Sequence, residues 1–278
     1  MKKTLKVVAF VVAIGLIVGV CLFANSLVGN PISKLLATNT AKQYIKENHP
    51  DKDYQLDGVT FNFKFVCYNA YFTSPSSPDS SFTLMLGMDG KIVHDYYEDH
   101  VTNRENTARR LEAEYRAAIS KVLDNPSFPY NSHIAYGELQ FIPEEFKNAE
   151  GVPPYALITN ELELDGIYDI NELGAKAGKL TIYVYDDTVT TERLAEIILD
   201  IRKMLDDAGV SFYIMDCVLE YPKPESGQWQ QGRVEVMDFL YEDIYEEGMI
   251  QRVRASNDAA NSYYNEMDAI KKQDEINP

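Results

Sequence analysis

The chain has 278 residues, enough for one or two domains with a sizeable core. Apolar residues make up 45% and charged residues 25%, which excludes a disordered or low-complexity chain. The formal charge is −17, or −20 once Lys2, Lys3 and Lys6 are set aside; a surface that anionic repels phosphate backbones and so excludes nucleic-acid binding, and it is expected to stand off anionic lipid headgroups as well.

Residues 7–24 are an unbroken apolar stretch of 18 residues, glycines included, which Leu27 and Val28 extend. That length approaches the roughly 20 residues needed to cross hydrocarbon. Because the lysines flank it on one side only, the positive-inside tendency predicts a cytoplasmic tip at 1–6 and a transmembrane anchor at 7–28. The protein is then single-pass at the cell membrane, with its C-terminal domain extracytoplasmic. Two rival readings share the segment. Ala24 and Ser26 fit signal-peptidase cleavage after Ser26, and Cys21 is a lipidation candidate, although Val20, Leu22 and Phe23 fit that pattern poorly.

The expected fold class is α+β: the N-terminal transmembrane helix, then two small units, each a mostly antiparallel sheet packed against helices. The first domain is placed at 30–142. Asn30-Pro31 is a helix start, with a good N-cap followed by Pro at the first helical position. Its apolar stripe reads Ile32, Leu35, Leu36, Ala41, Tyr44 and Ile45, and His49-Pro50 ends it. Period-two alternation of Phe61, Phe63 and Phe65 predicts a strand with one buried face, with Cys67 continuing the parity. A second strand follows at 68–72, a loop at 74–79, and a hairpin turning at Asp89-Gly90. A long helix is expected over 103–123, with the stripe Ala108, Leu111, Tyr115, Ile119 and Val122 and i,i+4 pairs Glu105/Arg109 and Glu112/Arg116. A strand near 134–141 closes this domain, and 143–154 reads as a proline-rich linker.

The second domain is placed at 155–250. Strands are expected at 155–164, 179–185 and 210–221, with a helix over 191–208 whose stripe is Leu194, Ile197, Ile198, Ile201 and Leu205. This strand, helix, strand order permits one parallel crossover. Residues 222–232 form a polar loop, residues 235–272 read as helix, and 251–278 is a C-terminal helical tail.

No catalytic, cofactor-binding or metal site emerges. The dense run from His94 to His100 spaces its two imidazoles by six, whereas helical zinc sites use i,i+4, so it reads as a solvated edge. His49 and His133 read as surface residues. Gly174 to Lys179 has three residues between its glycines and Leu180 after the lysine, so it fails as a phosphate loop; a helix C-cap feeding a strand explains both glycines. There is no nucleophile elbow, and the acid pairs Asp186-Asp187 and Glu246-Glu247 carry no weight among 43 acids. Cys67 and Cys217 fall in strands of different units and are read either as buried thiols or as a pair tying the units together.

Several stretches together carry a resemblance: 29–34, 61–65, 74–77, 106–111, 219–224 and 238–245. Over most of residues 29–250 they resemble the uncharacterised YfjL-like family of membrane-anchored proteins from Gram-positive bacteria. The resemblance implies an anchored two-part protein and assigns no activity or residue role. In layout alone, the first unit is also weakly similar to PepSY-like envelope modules, which are linked to protease inhibition or regulation. The function expected is a non-enzymatic binding module of the cell envelope, without cofactor, held by the membrane through its N-terminal helix and engaging another envelope protein or a wall component. The alternatives are a PepSY-like inhibitor or regulator of an envelope protease, and a hydrolase whose site is assembled only in space.

Overall fold

The structure is a computed structural model that describes residues 2–224 and 232–276, with the side chains of residues 2–5, 21, 22, 24, 26 and 272–276 left aside. The lipidation candidate Cys21, the cleavage position at Ser26 and residues 225–231 of the expected loop therefore lie outside what is described.

The expected transmembrane anchor is overturned. A helix does form there, α1 (Lys2–Val28), but among the described residues no helix is long and apolar enough to cross a membrane. The apolar run of 7–24 is 18 residues long and is ended by Asn25 and Ser26, short of the roughly 20 residues a crossing needs. The single-pass placement at a cell membrane, with a cytoplasmic N-terminus and an extracytoplasmic domain, falls with it.

Chain contacts divide the molecule into two units, one of residues 1–107 with 162–166, the other of residues 108–161 with 167–278. Both are α+β. In the first unit, α2 (Pro31–Asn48) starts where expected: the Asn30 side chain accepts the Ser33 N–H at 2.8 Å, and Pro31 occupies the first helical position. The second half of the expected stripe holds, with Ala41 buried and Tyr44 and Ile45 packed against the core, but the first half does not. Ser33, Ala37 and Ala41 face inward, while Ile32, Leu35 and Leu36 are exposed. Small residues at i, i+4 and i+8 let the helix lie close on the sheet, which the bulky residues would prevent.

That sheet is antiparallel, in the order β1 (Gln55–Asn62), β2 (Cys67–Ser74), β3 (Ser77–Leu86), β4 (Ile92–Asp95). The phenylalanine alternation does not continue as a strand. The Asn62 carboxamide accepts the Lys64 and Phe65 N–H groups, Val66 takes φ +52, and the chain turns, leaving Phe63 and Phe65 exposed. The expected loop at 74–79 is instead a tight turn at Pro75-Ser76, with Ser74 paired to Ser77. The Asp89-Gly90 hairpin forms as expected; Gly90 has φ +79, and a Cβ there would lie 2.8 Å from that of Leu36. Phe72 stacks on Phe82 at 4.9 Å inside a core with Tyr68, Leu84 and Leu86. Residues 162–166 return to this unit: Leu164 packs against the core, and Asp165 accepts the Asp79 N–H at 2.9 Å.

The second unit holds a four-stranded sheet in the order β10 (Arg233–Leu240), β9 (Ile214–Glu220), β8 (Gly178–Tyr185), β5 (Asn131–Leu139). β8 and β9 run parallel, joined through α5 (Thr191–Asp207), and the other pairings are antiparallel. Thr190 caps α5, and all five expected stripe residues are fully buried. Residues 155–164 give only β7 (Leu157–Ile158), which pairs with β6 (Phe141–Ile142). Residues 235–240, expected to be helical, belong to β10, and the helix begins later as α6 (Met249–Ile276). Val234 and Val236 are buried, and the Glu235 N–H donates to Asn257 of α6 at 3.0 Å, so packing against α6 and β9 overrides the helical composition.

α3 (Glu105–Leu123) presents Leu111, Tyr115 and Ile119 to the interior. Tyr115 is accommodated by three glycines. A Cβ on Gly137, Gly174 or Gly178 would come within 3.1, 2.6 or 2.4 Å of the tyrosine. Its hydroxyl donates to the Ser211 carbonyl at 3.0 Å. Gly174, expected to serve a helix C-cap, instead lies inside α4 (Ile170–Ala177), and Gly178 is the C-cap.

Candidate functional site

Four adjacent strands of the second unit each bring one charged side chain to the same region of the sheet. Register pairs Glu138 of β5 with Lys179 of β8, and Lys179 with Ile214 of β9. Asp216 stands two residues along β9, and Asp238 sits in the bulge of β10 between Val236 and Phe239. Lys179 Nζ lies 2.8 Å from Asp216 Oδ2 and 2.9 Å from Asp238 Oδ1. Asp238 has φ +49, and its backbone N–H donates to Asp216 Oδ1 at 2.7 Å. Aspartate is one of the few residues that tolerates this left-handed conformation. The bulge thus ties both aspartates to each other and to the lysine.

Burial alone would lower the Lys179 pKa, but its two carboxylate partners outweigh that and hold it above the ordinary lysine range. The group therefore stays an ammonium. A lysine nucleophile or general base needs the opposite shift. Among the described residues no such cation is bound to Glu138; its Oε1 accepts from Gln140 Nε2 at 2.6 Å. One lysine against three carboxylates leaves the row with an excess of negative charge.

Glu138, Lys179 and Asp238 line a cleft of about 650 Å³, a size that suits a small ligand or a side-chain-bearing peptide segment. Its lining also holds the apolar and aromatic residues Val152, Pro153, Pro154, Tyr155 and Tyr213. The Tyr155 and Tyr213 rings lie 5.0 Å apart at 46°, and burial raises the Tyr155 phenol above its usual value. Glu235 lies further along β10, with its carboxyl almost wholly buried and pushed up by that burial; Arg233 Nη2 stands 3.1 Å away.

None of the residues weighed from the sequence belongs to this cleft except Lys179, which appeared there only as the end of a failed phosphate loop. His94 lies 3.8 Å from Asp99 and edge-on to Tyr96, and among the described residues no group of three or more His, Cys, Asp or Glu side chains is placed to hold a metal ion. Asp186 is ion-paired with Arg193 at 2.9 Å. Cys67 and Cys217 are free and buried, so the cross-unit pair is excluded; burial pushes the Cys217 thiol up to about 12 and raises that of Cys67. Such thiols are unreactive. The missed signal is Asp216, the one charged residue between Val210 and Glu220 in an otherwise apolar strand. A charge in that position needs a partner, and the partners are far away in sequence.

His49 also departs from its expected surface place. It caps α2 and packs among Tyr44, Tyr54, Phe82 and Tyr97, with its ring 4.3 Å from that of Tyr97. Its Nε2 is buried and has no hydrogen-bond partner. Burial lowers its pKa, partly opposed by Asp95. The unfolded chain therefore binds this proton more readily than the folded one. The stability that His49 contributes is present above the ordinary imidazole value of about 6.5 and is lost as pH falls from there towards the lower folded value. Urea unfolding at about pH 7.5 and about pH 5.5 should show a loss at the lower pH that His49→Phe reduces; equal losses in both proteins would contradict the assignment.

Comparison with known proteins follows the two-part layout. The family model described as "YfjL-like, N-terminal domain" matches residues 2–96, and "YfjL-like C-terminal domain" matches residues 114–254. None of the curated proteins matches the chain. Among solved structures, a DUF5037 family protein from Ruminococcus gnavus ATCC 29149 aligns at 14% identity over 66% of this chain and 73% of its own, with a TM-score of 0.19, a value too low to bear on the fold.

Proposed function

The chain belongs to the YfjL-like family, and from the cleft of its second unit we propose that it is a non-enzymatic binding module taking a cationic group on an apolar stem, such as a lysine or arginine side chain of a partner protein. The observation that carries the reading is the locked ammonium of Lys179 between Asp216 and Asp238. It disfavours Lys179 itself as a nucleophile or base and leaves surplus carboxylate beside the tyrosines. Carboxylates hydrogen-bond an incoming cation, and tyrosine faces attract it through their quadrupoles.

The test is calorimetric titration of the full chain with a short peptide alternating lysine and leucine. Saturable binding is expected, weakened about tenfold by Glu138→Gln combined with Asp238→Asn, as losing two charge-assisted contacts implies. A glutamate-leucine peptide of the same length should not bind. Equal affinity in the wild type and the double variant would place binding on the general acidic surface and sink the proposal. The protease-regulator alternative predicts something else: slowed proteolysis of an unrelated substrate at stoichiometric amounts of the chain.

A further inference from the structure

The first unit carries a surface of opposite character to the rest of the molecule. Strand register puts the turns at 63–66 and 87–91 at the same end of its sheet, since Asn62 pairs with Cys67, Tyr68 with Leu86, and Leu86 with Ile92. The start of α2 is fixed to that end too. Tyr68 Oη donates to the Asn30 carbonyl and accepts the Asn30 N–H, both at 2.8 Å, and Leu36 packs against Gly90. Large apolar side chains gather there in the open: Ile32, Leu35, Phe63, Phe65, Val66 and Val93 are between 52% and 73% exposed.

The charge at this end is also inverted. The segments 29–36, 61–68 and 87–93 hold Lys34, Lys64 and Lys91 against the single acid Asp89, a net +2 on a chain of −17. Lys64 Nζ stands 5.4 Å above the Phe65 ring, and Lys91 is largely exposed beside Asp89. The apolar surface continues through Gly29 onto the exposed Val7, Phe10 and Leu16 of α1.

We propose that this end of the first unit docks on an anionic phospholipid surface. The turn tips and the first turn of α2 enter the headgroup boundary, and the three lysines lie against lipid phosphates. An anionic lipid layer is the partner that offers apolar depth and negative charge at the same place. Lysine stems lie along apolar surface while their ammonium groups stay in the polar layer. The arrangement is peripheral and needs no helix to cross the bilayer. It also limits the expectation that the globular part as a whole is repelled by lipid: the repulsion holds for the acidic surface and not for this end of the first unit.

The experiment uses the full chain with Trp229, its one tryptophan, replaced by Phe. A reporter is placed at the docking end (Phe65→Trp) or beyond His49 at the opposite end of α2 (Lys52→Trp). With phosphatidylglycerol vesicles bearing brominated acyl chains, the reporter at 65 should be quenched about threefold more than that at 52, and much less on phosphatidylcholine vesicles. Lys34→Glu, Lys64→Glu and Lys91→Glu together should raise the lipid concentration for half-quenching about tenfold or more. All three lysines are exposed, and an unchanged melting curve verifies that the variant folds. Equal quenching at both positions, no quenching at 65, or indifference to the charge reversal would overturn the proposal. So would a lipid-independent blue shift at 65 that grows with protein concentration, which would mean that a second copy covers the surface.

Discussion

Tyr115→Ala is expected to lower the stability of the second unit by about 3–5 kcal/mol, in line with other fully buried aromatic truncations. For a unit of this size that is a fall of about 10 °C in Tm. The ring is wholly buried, and burial holds its phenol well above the usual tyrosine range. Two backbone segments close on it, one at glycine 137 and one at glycines 174 and 178. Those segments belong to a strand and to a helix with its cap, so the cavity cannot collapse by moving one loop. Tyr115→Phe separates the two contributions: it removes only the hydroxyl's bond to Ser211 and should cost about 1 kcal/mol. Calorimetric melting of the three proteins is the measurement. A Tyr115→Ala penalty no larger than that of Tyr115→Phe would show that the ring is not the keystone the geometry makes it.

Lys179→Met should cost about 3 kcal/mol, because it keeps the apolar stem but leaves Asp216 buried without its cation. The Asp216 side chain is 10% exposed and that of Lys179 20%, so solvent screens the pair weakly. Asp238→Asn should cost less than about 1 kcal/mol, since that side chain is 68% exposed and asparagine tolerates the same left-handed backbone. The two variants also differ in pH response. The raised Lys179 pKa means that its contribution is complete at neutral pH and would be lost only at strongly alkaline pH, as pH rises through the folded value. Lys179→Met has no ammonium to lose and should show no such alkaline loss. Urea unfolding of both variants at neutral pH checks the order of the costs; a Lys179→Met cost no larger than that of Asp238→Asn would refute the ion-pair account.

Features set by short stretches of chain were legible. The Asn30 cap, the Asp89-Gly90 turn and the stripe of α5 each depend on residues within a turn or two of one another, and each formed as read. Where a local pattern met a competing local bond, it failed. Phe61, Phe63 and Phe65 alternate like a strand, yet the Asn62 carboxamide and the left-handed Val66 turn the chain between them. α2 shows the limit of hydrophobicity itself: close approach to the sheet selected Ser33, Ala37 and Ala41 over the larger residues. β10 was hidden because its reason for being a strand lies in β9 and α6, not in its own acidic composition. The site is harder still. Lys179 and Asp238 are 59 residues apart, and a bulge that no propensity signals brings them together. Only Asp216, isolated in an apolar run, announced that a counter-charge had to exist.

The return of residues 162–166 to the first unit has a consequence for the order of events on the ribosome. Synthesis of residue 107 does not complete that unit, because the Leu164 contact and the Asp165 bond to Asp79 are not yet made. The N-terminal unit must wait while the intervening stretch emerges, a stretch that belongs to its neighbour. Closing so long a loop is slow compared with forming the local hairpins. A nascent chain stalled at residue 107 would therefore lack the Leu164 contact to its core, and full proteolytic resistance of the N-terminal unit should appear only after residue 166 has cleared the exit tunnel.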